Sequence, residues 1–119
     1  MKALDLGHHR PEKTFITFLE SVRLEPEELN RLSMEKIVEY LQDFREKPRV
    51  EKLSYIRYVV RECSKRGYLN KECLRALKPT IEEATRVEDG YLDIDRAVEL
   101  MEELLRSPVL SKYAPWKRY

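Results

Sequence analysis

The chain has 119 residues, of which 38% are charged and 42% are hydrophobic, and its formal net charge at pH 7 is +1. That length predicts one domain, the lack of an apolar run of about 18 residues argues against a membrane span, and two cysteines exclude a disulfide-built scaffold. Because no apolar leader is present at the N-terminus, we expect a cytoplasmic protein. Many charges beside one Gln and two Asn are typical of a thermophile, with ordinary variation in a short chain as the alternative.

The first part of the chain predicts an arm and two helices. We expect residues 1–10 to form a flexible arm, because they show no hydrophobic period. Apolar residues in 15–22 then repeat at i, i+3, i+4 and i+7, which predicts one face of a helix. Pro26 predicts a short turn. Ser33 predicts the N-cap of a second helix, which ends before Pro48.

The middle of the chain predicts a long helix and two shorter ones. The long helix covers about 49–66 and ends at Gly67, the residue type expected just after a helix. Asn70 predicts the N-cap of a short helix that ends before Pro79. Thr80 then predicts a capping box for another short helix.

The last part of the chain predicts a turn, a helix and a tail. An Asp-Gly pair at 89–90 is typical of a turn, and Asp93 predicts the N-cap of a helix that ends at Ser107. No segment alternates with period two for long enough to predict a strand. We therefore predict an all-α fold, a compact bundle of four to six helices in a single domain over 11–107, followed by an aromatic-basic tail over 108–119.

The near-neutral net charge hides an uneven distribution along the chain. Residues 45–78 hold 11 basic and 4 acidic side chains, whereas residues 1–44 and 79–119 each hold 6 basic and 9 acidic ones. The middle segment therefore carries +7 and each flank carries −3. Acidic flanks around a basic middle also suggest self-association or assembly with other proteins through complementary charge.

Within the basic middle, three cations repeat every fourth residue and share one helix face: Arg57, Arg61 and Lys65. Such a stripe suits a phosphate backbone. Two alternatives stay open. The stripe can be a solvated face, either unpaired or paired with acids of the last helix (Glu99, Glu102 and Glu103), or it can bind an acidic protein partner. The candidate nucleic-acid-binding residues are Arg49, Ser54, Arg57, Tyr58, Arg61, Lys65, Lys71, Arg75 and Lys78.

The C-terminal tail alternates apolar or aromatic residues with basic ones. Its candidate contact residues are Tyr113, Trp116, Lys117 and Arg118. Such a tail can pack back on the core, dock on a partner, or stack on unpaired bases.

No group of residues predicts catalysis, a metal site or a cofactor. The sequence contains no phosphate-binding loop, nucleophile elbow or zinc-protease motif. Cys63, Cys73, His8 and His9 fit no zinc spacing. We expect Cys63 in the core, although a disulfide between Cys63 and Cys73 is conceivable in a thermophile.

Residues 14–78 resemble the N-terminal core-binding domain of tyrosine recombinases and phage integrases. The stretches that carry this resemblance are 15–20 (FITFLE), 32–41 (LSMEKIVEYL), 53–60 (LSYIRYVV) and 65–69 (KRGYL). The resemblance implies a SAM-like domain with orthogonally packed helices that clamps one side of DNA. The Asn-Pro often found after the third helix in that family is replaced here by Asn70-Lys71.

The recombinase catalytic domain does not fit in the rest of the chain. The histidines precede the domain, and Tyr119 lacks the Arg and His partners of a nucleophile. We therefore predict a non-catalytic nucleic-acid-binding module, with DNA favoured over RNA. The alternative is an assembly subunit of a larger complex, because residues 75–79 (RALKP) also resemble the small helical subunits of type III CRISPR effector complexes.

Overall fold

The computed structural model describes residues 10–114, with side chains from residue 13 onward. These residues form six helices and one short hairpin: α1 (Arg10–Ser21), α2 (Pro26–Glu46), α3 (Val50–Lys65), α4 (Lys71–Ala84), β1 (Val87–Glu88), β2 (Tyr91–Leu92), α5 (Ile94–Arg106) and α6 (Pro108–Ser111). The prediction of an all-α fold is confirmed. Apart from Arg10, which begins α1, the predicted arm lies outside the described residues. No helix in the described part of the chain combines the length and apolarity needed to cross a membrane.

Helices that follow one another in the chain also pack on one another, except for α1. Helix α2 packs on α3, α3 on α4, and α4 on α5, and α2 also packs on α5. Helix α1 lies on α3, and α6 covers α4 and α5. Each long helix turns one apolar stripe inward, and full burial of each large side chain contributes about 1.5–3 kcal/mol. Completely buried examples are Phe44, Leu77, Met101 and Leu110.

Two caps fix the turn between α3 and α4. Gly67 has a φ of +76°, and the Tyr68 N–H donates to the Cys63 carbonyl oxygen at 2.9 Å, as a Schellman motif requires. The Asn70 side chain then accepts a hydrogen bond from the Cys73 N–H at 2.8 Å. Both predicted caps are confirmed. The short turn that they create sets α3 and α4 side by side.

The predicted helix start at Ser33 is wrong. Helix α2 runs unbroken from Pro26 to Glu46, and Ser33 lies inside it with its side chain fully buried. The Cys63 thiol of α3 donates to the Ser33 hydroxyl with an Sγ–Oγ distance of 3.6 Å. The hydroxyl therefore serves the contact between α2 and α3 instead of capping a helix.

The predicted helix boundary at Pro79 and Thr80 is also wrong. Helix α4 contains Pro79 in its interior. Proline cannot donate to the Arg75 carbonyl, but both residues are exposed, so water can satisfy that oxygen. Beyond the proline, Ile81 continues the buried face that Leu77 occupies before it. Burial of this continuous face holds the helix together.

The Asp-Gly pair forms a turn, as predicted, and this turn closes a small hairpin that the sequence did not predict. Asp89 and Gly90 have φ values of 55° and 84°, the left-handed conformation that a two-residue type I′ hairpin turn needs. The side chain of Asp93 then accepts from the Arg96 N–H at 3.1 Å, which confirms it as the N-cap of α5.

The first half of the predicted tail packs against the helices. Ser107 ends α5 and accepts from the Val109 N–H at 3.2 Å, which begins α6. Leu110 and Ala114 are buried, and Tyr113 is half-buried. Residues 108–114 therefore belong to the packed body. Trp116, Lys117 and Arg118 lie outside the described residues.

Candidate nucleic-acid interface

An open groove of about 260 Å³ lies between α3 and α4, and we call it the α3–α4 groove. Four of its lining side chains are cations: Arg57, Arg61 and Lys65 from α3, and Lys78 from α4. The rest of its lining is Val60, Ser64, Ile81 and Glu82. The structure thus brings four of the predicted residues together in one concave surface.

The helical period places the α3 cations on this surface. Leu53, Ile56 and Cys63 lie on the buried face of α3 and fix its rotation against the core. Arg57 and Arg61 consequently face outward and are exposed. At a rise of 1.5 Å per residue, the stripe from Arg57 to Lys65 extends for about 12 Å along the helix.

The arginines of the groove lack acidic partners in the described part of the chain. No carboxylate of residues 13–114 forms an ion pair with Arg57, Arg61 or Lys78. Lys65 lies 3.6 Å from a Glu62 carboxylate oxygen. Arg57, Arg61 and Lys78 therefore line the groove without an ion-paired carboxylate among the described residues.

The acids of the last long helix do not reach the stripe. Glu99 pairs with Arg96 at 3.4 Å, and Glu102 lies 4.0 Å from Arg106, both within α5. Among the described residues, no acid of this helix, Glu103 included, forms an ion pair with the stripe. Pairing with the last helix is therefore excluded, and a solvated, unpaired face remains as the alternative.

Three other arginines are each held between two carboxylates. Arg31 lies 2.5 Å from Glu28 and 3.2 Å from Glu35. Arg96 lies 3.1 Å from Glu83 and bonds Glu99 as well. Arg66 contacts two acids in the same way, Glu62 and Glu20. We call Arg31, Arg66 and Arg96 the bridged arginines.

The other predicted binding residues lie outside the groove lining. Arg49, Ser54, Lys71 and Arg75 are exposed, and Tyr58 is half-buried against the core. By helical spacing, Lys71 and Arg75 share the face of α4 that carries Lys78. They extend the basic surface along α4 toward its N-terminus.

Sequence reasoning missed two groove residues. Ser64 is half-buried in the groove lining and brings a hydroxyl that can donate to phosphate. Glu82 adds one negative charge to the α4 wall. Its position four residues after Lys78 places the two on one side of α4, and this spacing is the signal that could have found it.

Tyr113 links the chain after α6 to α2. Asn30 donates to the Tyr113 hydroxyl at 3.0 Å and accepts from the Asn70 N–H at 2.8 Å. The Cys73 thiol lies 3.9 Å from the same hydroxyl. Burial is the main cause that raises the pKa of Tyr113 above its ordinary value. This cluster ties α2, the start of α4 and the chain after α6 together.

The two cysteines are both free and buried. Burial raises the pKa of the Cys63 thiol to about 11, so the thiol stays protonated and unreactive near neutral pH. Within residues 13–114, no three His, Cys, Asp or Glu side chains lie close enough to hold a metal ion. The cations and the hydroxyl that line the α3–α4 groove are instead suited to anions.

Comparison with known proteins found no matching family model, no matching curated protein and no matching solved structure. The resemblance of residues 14–78 to core-binding domains therefore stays a prediction.

Proposed function

We propose that this protein is a non-catalytic nucleic-acid-binding module that holds the phosphate backbone of DNA in the α3–α4 groove. The observation that carries the proposal is the convergence of four cations on one groove. Like charges at this spacing repel one another in the free protein. A bound chain of phosphates removes that repulsion and releases its own counterions.

The side chains of the groove suit phosphate oxygens. Arg57 and Arg61 each present a planar fork of donors that can bind a phosphate through two hydrogen bonds. Lys65 and Lys78 add compact charges, and Ser64 adds a hydroxyl donor.

The groove is built for backbone contact rather than for reading bases. Its apolar residues, Val60 and Ile81, are 4% and 3% exposed, and its described lining contains no aromatic ring on which a base could stack. We therefore expect binding with little sequence preference. The choice of DNA over RNA is supported by the resemblance of residues 14–78 alone.

Fluorescence anisotropy with labelled duplex DNA, single-stranded DNA and RNA of mixed sequence tests the proposal. Four phosphate contacts predict that affinity for duplex DNA falls on the order of 100-fold between about 50 mM and about 200 mM salt. A preference for RNA would contradict the choice of DNA. Affinity that does not change with salt would contradict phosphate contact itself.

A pair of double variants locates the site. Arg57→Ala with Arg61→Ala should reduce the salt slope by about two units and weaken binding to all sequences alike. Arg31→Ala with Arg96→Ala removes the same charge from bridged arginines and should leave the slope close to that of the wild type. Equal losses in both double variants would show that only net charge matters.

No binding at low salt would favour the assembly-subunit alternative. Val87 and Tyr91 on the hairpin are 60% and 70% exposed, and neighbouring exposed apolar side chains suit a protein contact. Sedimentation at low salt, with and without the substitutions Val87→Ser and Tyr91→Ser, would then measure self-association.

A further inference from the structure

One groove cation, Lys65, has an acidic neighbour whose two oxygens are used unequally. One carboxylate oxygen of Glu62 hydrogen-bonds the Arg66 guanidinium. The other lies 3.6 Å from the Lys65 ammonium, which is too long for a hydrogen bond. Glu62 is therefore hydrogen-bonded to Arg66 and forms a longer ion pair, without a hydrogen bond of normal length, with Lys65.

Arg66 is in turn held from a different helix. Its Nε donates to a carboxylate oxygen of Glu20 in α1 at 2.7 Å. The hydrogen bond from Arg66 is also the largest cause that holds the pKa of Glu62 below its ordinary value. The side chain of Lys65 remains 67% exposed, whereas that of Glu62 is only 12% exposed.

We propose that Arg66, anchored by Glu20, is a positioning residue that limits the Glu62 carboxylate to a long ion pair with Lys65, so that Lys65 can exchange this partner for a phosphate. This inference rests on the proposed function of the α3–α4 groove. It also gives α1, which does not line the groove, an influence on the charge inside it.

The physical basis is competition between two cations for one carboxylate. A guanidinium offers several donors in a fixed plane and can serve Glu62 and Glu20 together, whereas an ammonium is a single compact charge. When Arg66 is removed, Glu62 has only Lys65 as a cation within 4.0 Å among the described residues. The pair at i and i+3 then forms fully and neutralises one of the four groove cations.

A double-mutant cycle on the salt slope of duplex DNA binding tests this competition. In the wild type, Lys65→Ala should lower the slope by about 0.9 units, the value of one phosphate contact. In the Arg66→Ala background, the same substitution should change the slope by less than half of that amount. An equal change in both backgrounds would overturn the inference.

A rescue variant separates positioning from loss of charge. Arg66→Ala alone should weaken binding and lower the slope, and adding Glu62→Gln should restore the slope, because the carboxylate that neutralises Lys65 is gone. Arg31→Ala is the matched control, since it removes another bridged arginine and should leave the slope unchanged. Failure of Glu62→Gln to restore the slope would overturn the inference.

Two further measurements keep the test decisive. If circular dichroism shows that the Arg66→Ala protein has lost helix, the single variant Glu62→Gln is tested in place of the Arg66→Ala variants. The inference then predicts an unchanged slope, and a rise of about 0.9 units would overturn it by showing that Glu62 already neutralises Lys65. Absence of salt-dependent binding by the wild type would overturn the proposed function, whereas an additive cycle in a wild type that binds would overturn only the role of Arg66.

Discussion

The α3–α4 groove and the outer faces of α2 and α5 use the same residue type in opposite ways. Arg57 and Arg61 converge on a concave surface without an acidic partner in the described part of the chain. Arg31 and Arg96 each lie between two carboxylates. The outer faces of α2 and α5 therefore pair these arginines with carboxylates, whereas the groove does not.

This difference teaches that the location of charge is more informative here than its total. Exposed ion pairs such as those of Arg31 add little to stability, because water and salt screen them. Their larger consequence is that they cancel positive potential on the outer faces. A formal net charge of +1 therefore coexists with a local surface on which Arg57, Arg61 and Lys78 have no ion-paired carboxylate among the described residues.

The largest expected effect comes from reversing the groove charge. Arg57→Glu with Arg61→Glu should weaken binding to duplex DNA by more than about 100-fold at low salt, because contacts are lost and repulsion is added. Anisotropy measures this loss. The matched variant, Arg31→Glu with Arg96→Glu, should lose much less, and similar losses in both would erase the distinction between the two regions.

Arg57 and Arg61 can face the groove only if the other face of α3, which carries Cys63, stays buried in the core. An alkaline titration of the Cys63 thiol tests this burial. The pKa of Cys63 is raised from 9.0 to about 11, so the unfolded thiol loses its proton at lower pH than the folded one. The contribution of this thiol to the free energy of unfolding should therefore be fully present below pH 9.0. It should be lost as the pH rises toward 11, and the loss should amount to about 2–3 kcal/mol. Urea unfolding of wild type and Cys63→Ala across this range measures the difference, and parallel curves would contradict a dry interior at this position.

A smaller effect is expected from loosening the start of the α4 wall. Asn30→Ala removes one bond to the Asn70 N–H and one to the Tyr113 hydroxyl, and should lower the free energy of unfolding by about 1–2 kcal/mol. Tyr113→Phe removes the second bond and the weak contact from the Cys73 thiol but keeps the bond to Asn70, and should cost about half as much. Chemical denaturation of both variants measures the two free energies of unfolding. A wild-type free energy of unfolding for Asn30→Ala would contradict the prediction.

The smallest expected effect sharpens the account of the groove itself. Glu82→Gln removes the one acid of its described lining and should raise affinity for duplex DNA by roughly threefold at low salt. Glu88→Gln makes the same change of charge on the hairpin, outside the groove lining, and should have less effect. If the two variants gain equally in anisotropy, the position of Glu82 has no special role.

The contrast between Asn70 and Ser33 shows which helix boundaries could be predicted from sequence. Both are N-cap residue types, and Asn70 acts as one because its partner is the Cys73 N–H, three residues away. Ser33 instead meets the Cys63 thiol, 30 residues away, and no local pattern shows that contact. Pro79 was misinterpreted for a related reason, since the burial that carries α4 through it is a property of the folded chain.

The candidate site divides in the same manner. The stripe of Arg57, Arg61 and Lys65 was predictable, because helical periodicity is local. The approach of Lys78 to that stripe depends on the turn between α3 and α4, and the sequence only suggested it. The link from Glu20 to Arg66 spans 46 residues and required the three-dimensional structure.

The hairpin between α4 and α5 offers a practical handle for following this protein. Its turn is exposed, and a Cβ placed on Gly90 would meet no atom within 4 Å. Exposed turns between two elements accept inserted sequence more readily than buried segments. A short peptide tag carrying a fluorescent dye, built into this turn in place of Asp89 and Gly90, would therefore report on the whole molecule while leaving every side chain that lines the groove in its native form.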